Sequence, residues 1–529
     1  MNRRAFLIAS GRVGLAAGAG ALGLAVSRAL SPPPIARPRA TTAVGGQPSP
    51  VQGLASVRSG VAGSTAPRTN LVRTENAMRG TDRWLIGGQP ATIQGYLDRA
   101  SAMPGDRLVL RVDAQSPFDV EWYRLGWYGG SGGRLVRVDP GLPAVTGNGP
   151  QVDSSTGRAE APWPAALEIG VPADWTTGMY TAVLRPRAGD PGYVPFIVKR
   201  PPGDPAPVLF VSAALTWQAY NTWGGANLYD GSMADSPEIS LGRRAVQVTF
   251  DRPYALHQGA GYQPRWELQF VRWQEREGVD TDYAADLDLE LDPGILDGRR
   301  LIVFAGHHEY WYRPMRSALE AAVASGVNVL FLSANEVYWQ VRLEASPLGP
   351  ARRVTCYKSA HLDPIASTQP ELTTCRWRER PVNDPEAPLI GQMYGHIVRR
   401  PGDWVAAGTD HWLYEGTGLR DGDHLVNLVG QEYDSYFPEL GNQGTVILAR
   451  STIDAVIQAD QRSGRYSSPA IHNATMYTAN SGATVFAAGT FQWSWAIDRF
   501  GDRSYRGAAT PYDERVVRMT QNLFDRLGS

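Results

Sequence analysis

The chain has 529 residues, 43% hydrophobic and 19% charged, with a formal net charge of −1. That length exceeds one ordinary domain and suggests two or three, each with a real core. The near-neutral balance excludes a surface built for nucleic acid or a polybasic membrane patch.

The first residues read as an address rather than as fold. "MNRRAFLIASGRVGLAAGAGALGLAV" places Arg3 and Arg4 ahead of a mild Ala/Gly/Leu run, the pattern of a twin-arginine export signal. Arg12 and the glycines make the run a poor membrane span. Residues 1–40 are therefore read as a signal cleaved near Ala40. Residues 41–80 are read as a disordered linker, because 31–70 is rich in Pro, Gly, Ser and Thr. The expected location is extracellular, periplasmic or at the cell envelope, with no integral membrane segment after the signal is removed. Such compartments are oxidising, which predicts a disulfide between Cys356 and Cys375, with two buried thiols as the alternative. With only these two cysteines, the sequence gives little support to a zinc–thiolate site.

From about Asp82 to Lys199 the chain reads as strands and turns. "DRLVLRVDA" alternates Leu108, Leu110 and Val112 with Arg107 and Arg111, a half-buried strand. "VEWYRLGWYGGSGGRLVRV" reads as strand, Gly-rich turn, strand; "DWTTGMYTAVLRP" and "YVPFIVKRP" add two more. The pattern predicts an immunoglobulin-like β-sandwich over 81–200. The proline-rich "RPPGDPAP" at 200–207 then acts as a hinge.

Beyond it, 205–529 is predicted to be a larger α/β domain. "PVLFVSA", "RRLIVFAG", "VNVLFLSA" and "GATVFAAGT" are continuous apolar runs, as in strands buried on both faces. Helical spacing joins Trp266, Phe270 and Trp273 up to Gly278. A helix from Pro314 to Ser325 carries Met315, Leu319 and Ala322, and "DERVVRMTQNLFDRL" closes the chain as another. Strand–helix–strand with apolar strands predicts a mostly parallel sheet, flavodoxin-like or amidotransferase-like, with a β-rich insertion over 345–480.

Each buried strand is followed by an aromatic loop: "ALTWQAYNTWGG", "HHEYWY", "NEVYWQVR" and "FQWSWAID". Parallel strands share one carboxyl edge, and ligands bind in the crevice outside it. The four loops should therefore converge, which places His307 and Glu309 where such a fold keeps its site. No G-x-S-x-G elbow, no strand-end cysteine beside histidine, no H-E-x-x-H, no P-loop and no nucleotide or flavin signature is present. What remains is Glu, His and Tyr, donors suited to a hard metal ion acting as Lewis acid.

"TWQAYNTWGG", "FDRPYA", "GHHEYW", "ANEVYWQVRLE" and "GTFQWSWAID" together resemble the N,N-dimethylformamidase large (beta) subunit family across most of 205–525. That resemblance implies a mononuclear ferric iron held by two tyrosines and a glutamate with a histidine nearby. Here it places the glutamate at Glu309, the histidine at His307 and the tyrosines at Tyr220 and Tyr254, with Tyr229 and Tyr310 as competitors.

The expected activity is metal-dependent hydrolysis of the C–N bond of a small amide, with His307 moving the proton. Asn335, Glu336 and Gln340 would orient substrate, and Trp217, Trp339 and Trp493 would exclude water. The alternative is an exported binding protein holding a glycan or peptide in the aromatic crevice. No counterpart of a small partner subunit is evident, and a homo-oligomer is an open expectation.

Overall fold

A computed structural model describes residues 69–229, 244–292, 294–455 and 470–528. The stretch read as an export signal, with Arg3 and Arg4, and the stretch read as a linker up to residue 68 lie outside the described residues. The end of the stretch read as linker carries a helix, Leu71–Asn76, whose N-cap Asn70 accepts from the Arg73 amide.

Alternation builds the N-terminal region. Leu108, Leu110 and Val112 point inward from strand Arg107–Asp113 while Arg107 faces solvent, the side-chain period of two that any strand imposes. This strand lies between Gln94–Leu97 and Ala165–Gly170 in a three-stranded sheet. A second sheet orders Ser101–Ala102, Gly192–Val198, Gly178–Pro186, Phe118–Leu125 and Gly133–Leu142. Trp122, Trp175, Tyr180 and Phe196 pack with the leucines and valines of the first sheet into one apolar cluster.

The central sheet is built from β1 (Val208–Ser212), β2 (Thr281–Ala285), β3 (Leu301–Ala305), β4 (Asn328–Leu332), β5 (Val446–Thr452), β6 (Ile471–Thr478) and β7 (Thr484–Ala487). Its order is β2-β1-β3-β4-β7-β6-β5. β2, β1, β3, β4 and β7 pair in parallel, while β6 runs antiparallel to both β7 and β5, so the sheet is mixed. β5 and β6 come from the stretch read as an insertion; they complete the central sheet. Leu301, Ile302, Val303 and Phe304 of β3 are fully buried, each contributing about 1.5–3 kcal/mol relative to exposure.

Helices α1 (Ala214–Ala219), α2 (Leu268–Arg276), α3 (Arg313–Ala324), α4 (Trp493–Ile497) and α5 (Glu514–Leu527) accompany these strands. Among the described residues no helix is long and apolar enough to cross a membrane. A smaller sheet of Gln247–Thr249, Gly349–Thr355, Trp339–Ser346 and Tyr310–Tyr312 lies beyond the strand ends.

The N-terminal sheets share a core with the central one. Tyr123, Leu125, Met179 and Ile197 belong to the same apolar cluster as β1 and β3. At the seam Arg124 forks onto Glu275 of α2 at 2.6 and 2.8 Å, both side chains fully buried. Tyr283 and Asn76 donate to the same carboxylate at 2.6 and 2.7 Å. Gly126 permits this approach: a Cβ there would lie 2.0 Å from Glu275 Oε2.

The expected disulfide is not formed. Cys356 and Cys375 are free, buried thiols. Gln340 lies between them: its carbonyl faces Cys356 Sγ at 3.8 Å, and its amide donates to the Cys375 carbonyl at 2.9 Å.

Candidate metal centre

The order β2-β1-β3 reverses the direction of winding between β1 and β3, and the crevice of such a sheet opens at that reversal. β1 runs into α1, whose C-cap is Tyr220. β3 ends at Gly306, where φ is +98° and a Cβ would strike Trp266 at 2.9 Å. Glycine alone lets the chain turn there, and the turn sets His307, His308 and Glu309 against α1. The Glu309 amide donates to Thr216 Oγ1 of α1 at 3.1 Å.

Four side chains converge on the fully buried Glu309 carboxylate. Tyr220 donates to Oε2 at 2.7 Å and Tyr229 donates to Oε1. The Trp339 indole donates to Oε1 at 2.9 Å, and His307 Nε2 stands 3.3 Å from Oε2 and 3.4 Å from the Tyr220 hydroxyl. Trp339 arrives through the short parallel pairing of Tyr310–Tyr312 with its own strand; Tyr338 and Trp339 both donate backbone N–H groups to the Glu309 carbonyl. The turn delivering it holds Asn335 and Val337 at φ +54°.

Burial pushes the Glu309 carboxyl up, but His307, Lys358 and Tyr229 outweigh it and hold it below the usual carboxylate range. Burial, then the Glu309 charge, drives Tyr220 and Tyr229 well above the ordinary phenol value. Both are therefore neutral donors. His307 is wedged between Phe491, with ring centroids 4.0 Å apart, and Trp266 at 5.2 Å.

The expected residues separate into two groups. Tyr220, His307, Glu309 and Trp339 meet. Asn335 lies at the border, its side chain donating to Glu432 at 2.6 Å. Tyr229, not Tyr254, bonds to Glu309. Tyr254 packs edge-on against Trp217 at 6.2 Å and lines a cleft with Tyr96, Arg252 and Arg352. The Tyr310 hydroxyl makes no hydrogen bond to Glu309. Glu336 is buried, and burial, with the nearby Asp434 adding to it, pushes its carboxyl well above the usual range. Gln340 braces the carbonyls of Glu371 and Thr373 at 2.7 and 2.9 Å. Trp493 sits in the core, its indole on Thr520 and its ring against Trp404 and Phe486. Gln340 and Trp493 are thus not brought to Glu309, because a position at a strand end does not fix the direction of a side chain.

Sequence reasoning missed Lys358 and Glu432, which enter from the stretch read as an insertion. Lys358 Nζ lies 3.0 Å from the centre of the Tyr229 ring, out of solvent and without a hydrogen-bond partner. Burial pulls its amine down to about 7. Lys358 itself has φ +55°, and no periodicity flags such a residue. Phe491 was within reach, being the first aromatic of "FQWSWAID".

Among the described residues no three His, Cys, Asp or Glu side chains gather as a metal site; the phenols complete any donor set. Three hard oxygen donors with no sulfur fit a ferric ion.

Residues 119–507 match the family model described as N,N-dimethylformamidase beta subunit-like, C-terminal. The N,N-dimethylformamidase beta subunit of Alcaligenes sp is 22% identical over 449 residues, covering 69% of this chain and 54% of that protein. The chain thus spans about half the length of that curated relative.

Proposed function

Because the chain belongs to the N,N-dimethylformamidase beta subunit-like family, we propose that it is an exported hydrolase of the C–N bond of a small amide. The observation that carries this reading is the convergence of Tyr220, Tyr229 and Trp339 on the buried Glu309. A ferric ion would be held by Tyr220, Tyr229 and Glu309. When bound, such an ion supplies Lewis acidity, polarising a carbonyl and lowering the pKa of a water.

The rest falls to the chain's own side chains. Glu309 offsets the ion's charge. His307, with Nε2 facing Tyr220 and Glu309, carries a proton from the attacking water to the leaving amine. Such acid–base work supplies roughly a hundredfold or more in rate. Phe491 and Trp266 fix the imidazole plane and exclude bulk water. Export by way of Arg3 and Arg4, and further subunits, belong to the same proposal.

The glycan-binding alternative has no observation of its own. Trp217, Trp339 and Trp493 are at most 9% exposed, and covered indoles cannot stack on sugars. The test is metal analysis with a visible spectrum of the full chain. We expect iron and a phenolate-to-iron band, with Glu309→Ala losing both. A colourless wild type that resists iron reconstitution would overturn the reading.

A further inference from the structure

The segment "FDRPYA" entered the sequence reading through Tyr254, yet Tyr254 does not reach Glu309. Its neighbour Arg252 is 1% exposed and forms no ion pair among the described residues. Asp251, the adjacent carboxylate, is occupied by Arg352 at 2.7 Å. Burial pulls the Arg252 guanidinium down to about 10. A buried cation without an anion is costly, so the groups that accept from it show its role.

They belong to one loop. Arg252 Nη1 donates to the carbonyls of Trp223 and Ala226 at 2.9 and 3.2 Å, and Nη2 to that of Asn221 at 3.0 Å. Weaker contacts at 3.4 and 3.5 Å reach the side chain and carbonyl of Gln218. These acceptors surround the turn from Tyr220 to Tyr229, the two phenols on Glu309. Asn227 ties those ends together, donating to the Tyr220 carbonyl at 3.0 Å and accepting from the Tyr229 amide at 2.7 Å. Asn221 locks the turn to the Arg252 segment, donating to the Pro253 carbonyl at 2.9 Å and accepting from the Ala255 amide at 3.1 Å.

We propose that Arg252 is a positioning residue whose guanidinium fork holds the Tyr220–Tyr229 turn closed, keeping both hydroxyls on Glu309. It satisfies carbonyls that the turn would otherwise leave unpaired, and a planar fork can span several at once where a single amine cannot. Its consequence for metal binding rests on the proposed iron site; its effect on the turn does not.

Arg352 supplies the control. It is 4% exposed and braces the same segment through Asp251 and the carbonyls of Leu97 and Phe250, but it makes no bond to the turn. In the full chain, Arg252→Lys should weaken hydrogen-exchange protection across 218–229 at least tenfold. Iron-loaded, it should shift or lose most of the visible band and lower kcat about a hundredfold, the cost of misplaced site groups. Arg352→Lys, with a comparable or larger fall in Tm, should leave protection, band and kcat near wild type. Arg252→Gln should repeat the Arg252→Lys result.

Wild-type protection and band in Arg252→Lys would overturn the proposal. So would failure of both Arg252 variants to fold while Arg352→Lys folds, which would make Arg252 a core residue only. A wild type that takes up no iron would instead sink the proposed function, and the exchange comparison would still decide the role of Arg252.

Discussion

Glu275 at the seam and Glu309 at the strand ends are both fully buried carboxylates, yet they are answered differently. Glu275 receives a bidentate guanidinium, a phenol and an amide. Glu309 receives two phenols, an indole and an imidazole at longer range, while Lys358 stands over the Tyr229 ring without bonding to it. A carboxylate neutralised by arginine has no charge left to offer and serves as a rivet. One surrounded by weak, neutral donors keeps its charge available, as the proposed iron site requires. Burial alone therefore does not separate structure from site; the identity of the donors does.

Three experiments can break or sharpen that contrast. The largest effect is expected at the seam. Arg124→Ala should cost about 3–5 kcal/mol of stability, the usual result of orphaning one member of a buried pair. Glu309→Gln, which keeps an acceptor oxygen for the buried donors, should cost only about 1–2 kcal/mol while abolishing turnover. Urea denaturation of both would refute the contrast if the losses were equal.

The second experiment uses pH. Burial raises the Glu267 carboxyl to about 8, although it accepts from Ser212 and the Ala213 amide at 2.7 and 2.8 Å. The unfolded chain releases that proton near 4.3. Between these values the native state holds more protons, so stability must fall as pH rises, by on the order of a few kcal/mol. Glu75 at the seam behaves oppositely. Burial raises it, but Arg124 and Arg134 prevail and lower it; its contribution is present above the unfolded value and is lost on acidification. Glu267→Gln should flatten the alkaline decline, and an unchanged profile would assign that decline to other groups.

The smallest effects separate the tyrosines. Tyr229→Phe should weaken the visible band of iron-loaded protein at a stability cost of about 1 kcal/mol. Tyr254→Phe should leave the band intact. A reversed result would return the metal to the arrangement that the family motifs alone suggested.

Much of the site was legible because a parallel sheet turns sequence order into position. Runs such as "RRLIVFAG" identify buried strands, and the residues after them meet at one edge; Tyr220, His307, Glu309 and Trp339 did so. Side-chain direction was not legible. Trp493 and Phe491 are two residues apart, and one enters the core while the other touches His307. Tyr229 and Tyr254 could not be ranked, because the path of the turn after α1 depends on Arg252 and Asn227 rather than on any local propensity. Lys358 lies far along the chain in an irregular segment, and Glu432 opens a strand of only four residues, Glu432–Ser435, too short for periodicity to carry information.

Val337, β-branched and fully buried, is held at φ +54° in the turn that brings Trp339 to Glu309. Such a conformation costs about 1–3 kcal/mol and persists only because its surroundings enforce it. A glycine at 337 would release that strain but empty a fully buried position, a loss of about 1.5–3 kcal/mol before any cavity is counted. A lineage under selection for heat resistance would therefore keep the valine: the residue that strains the turn also anchors it, so the aim of the indole is guarded by the packing beneath it.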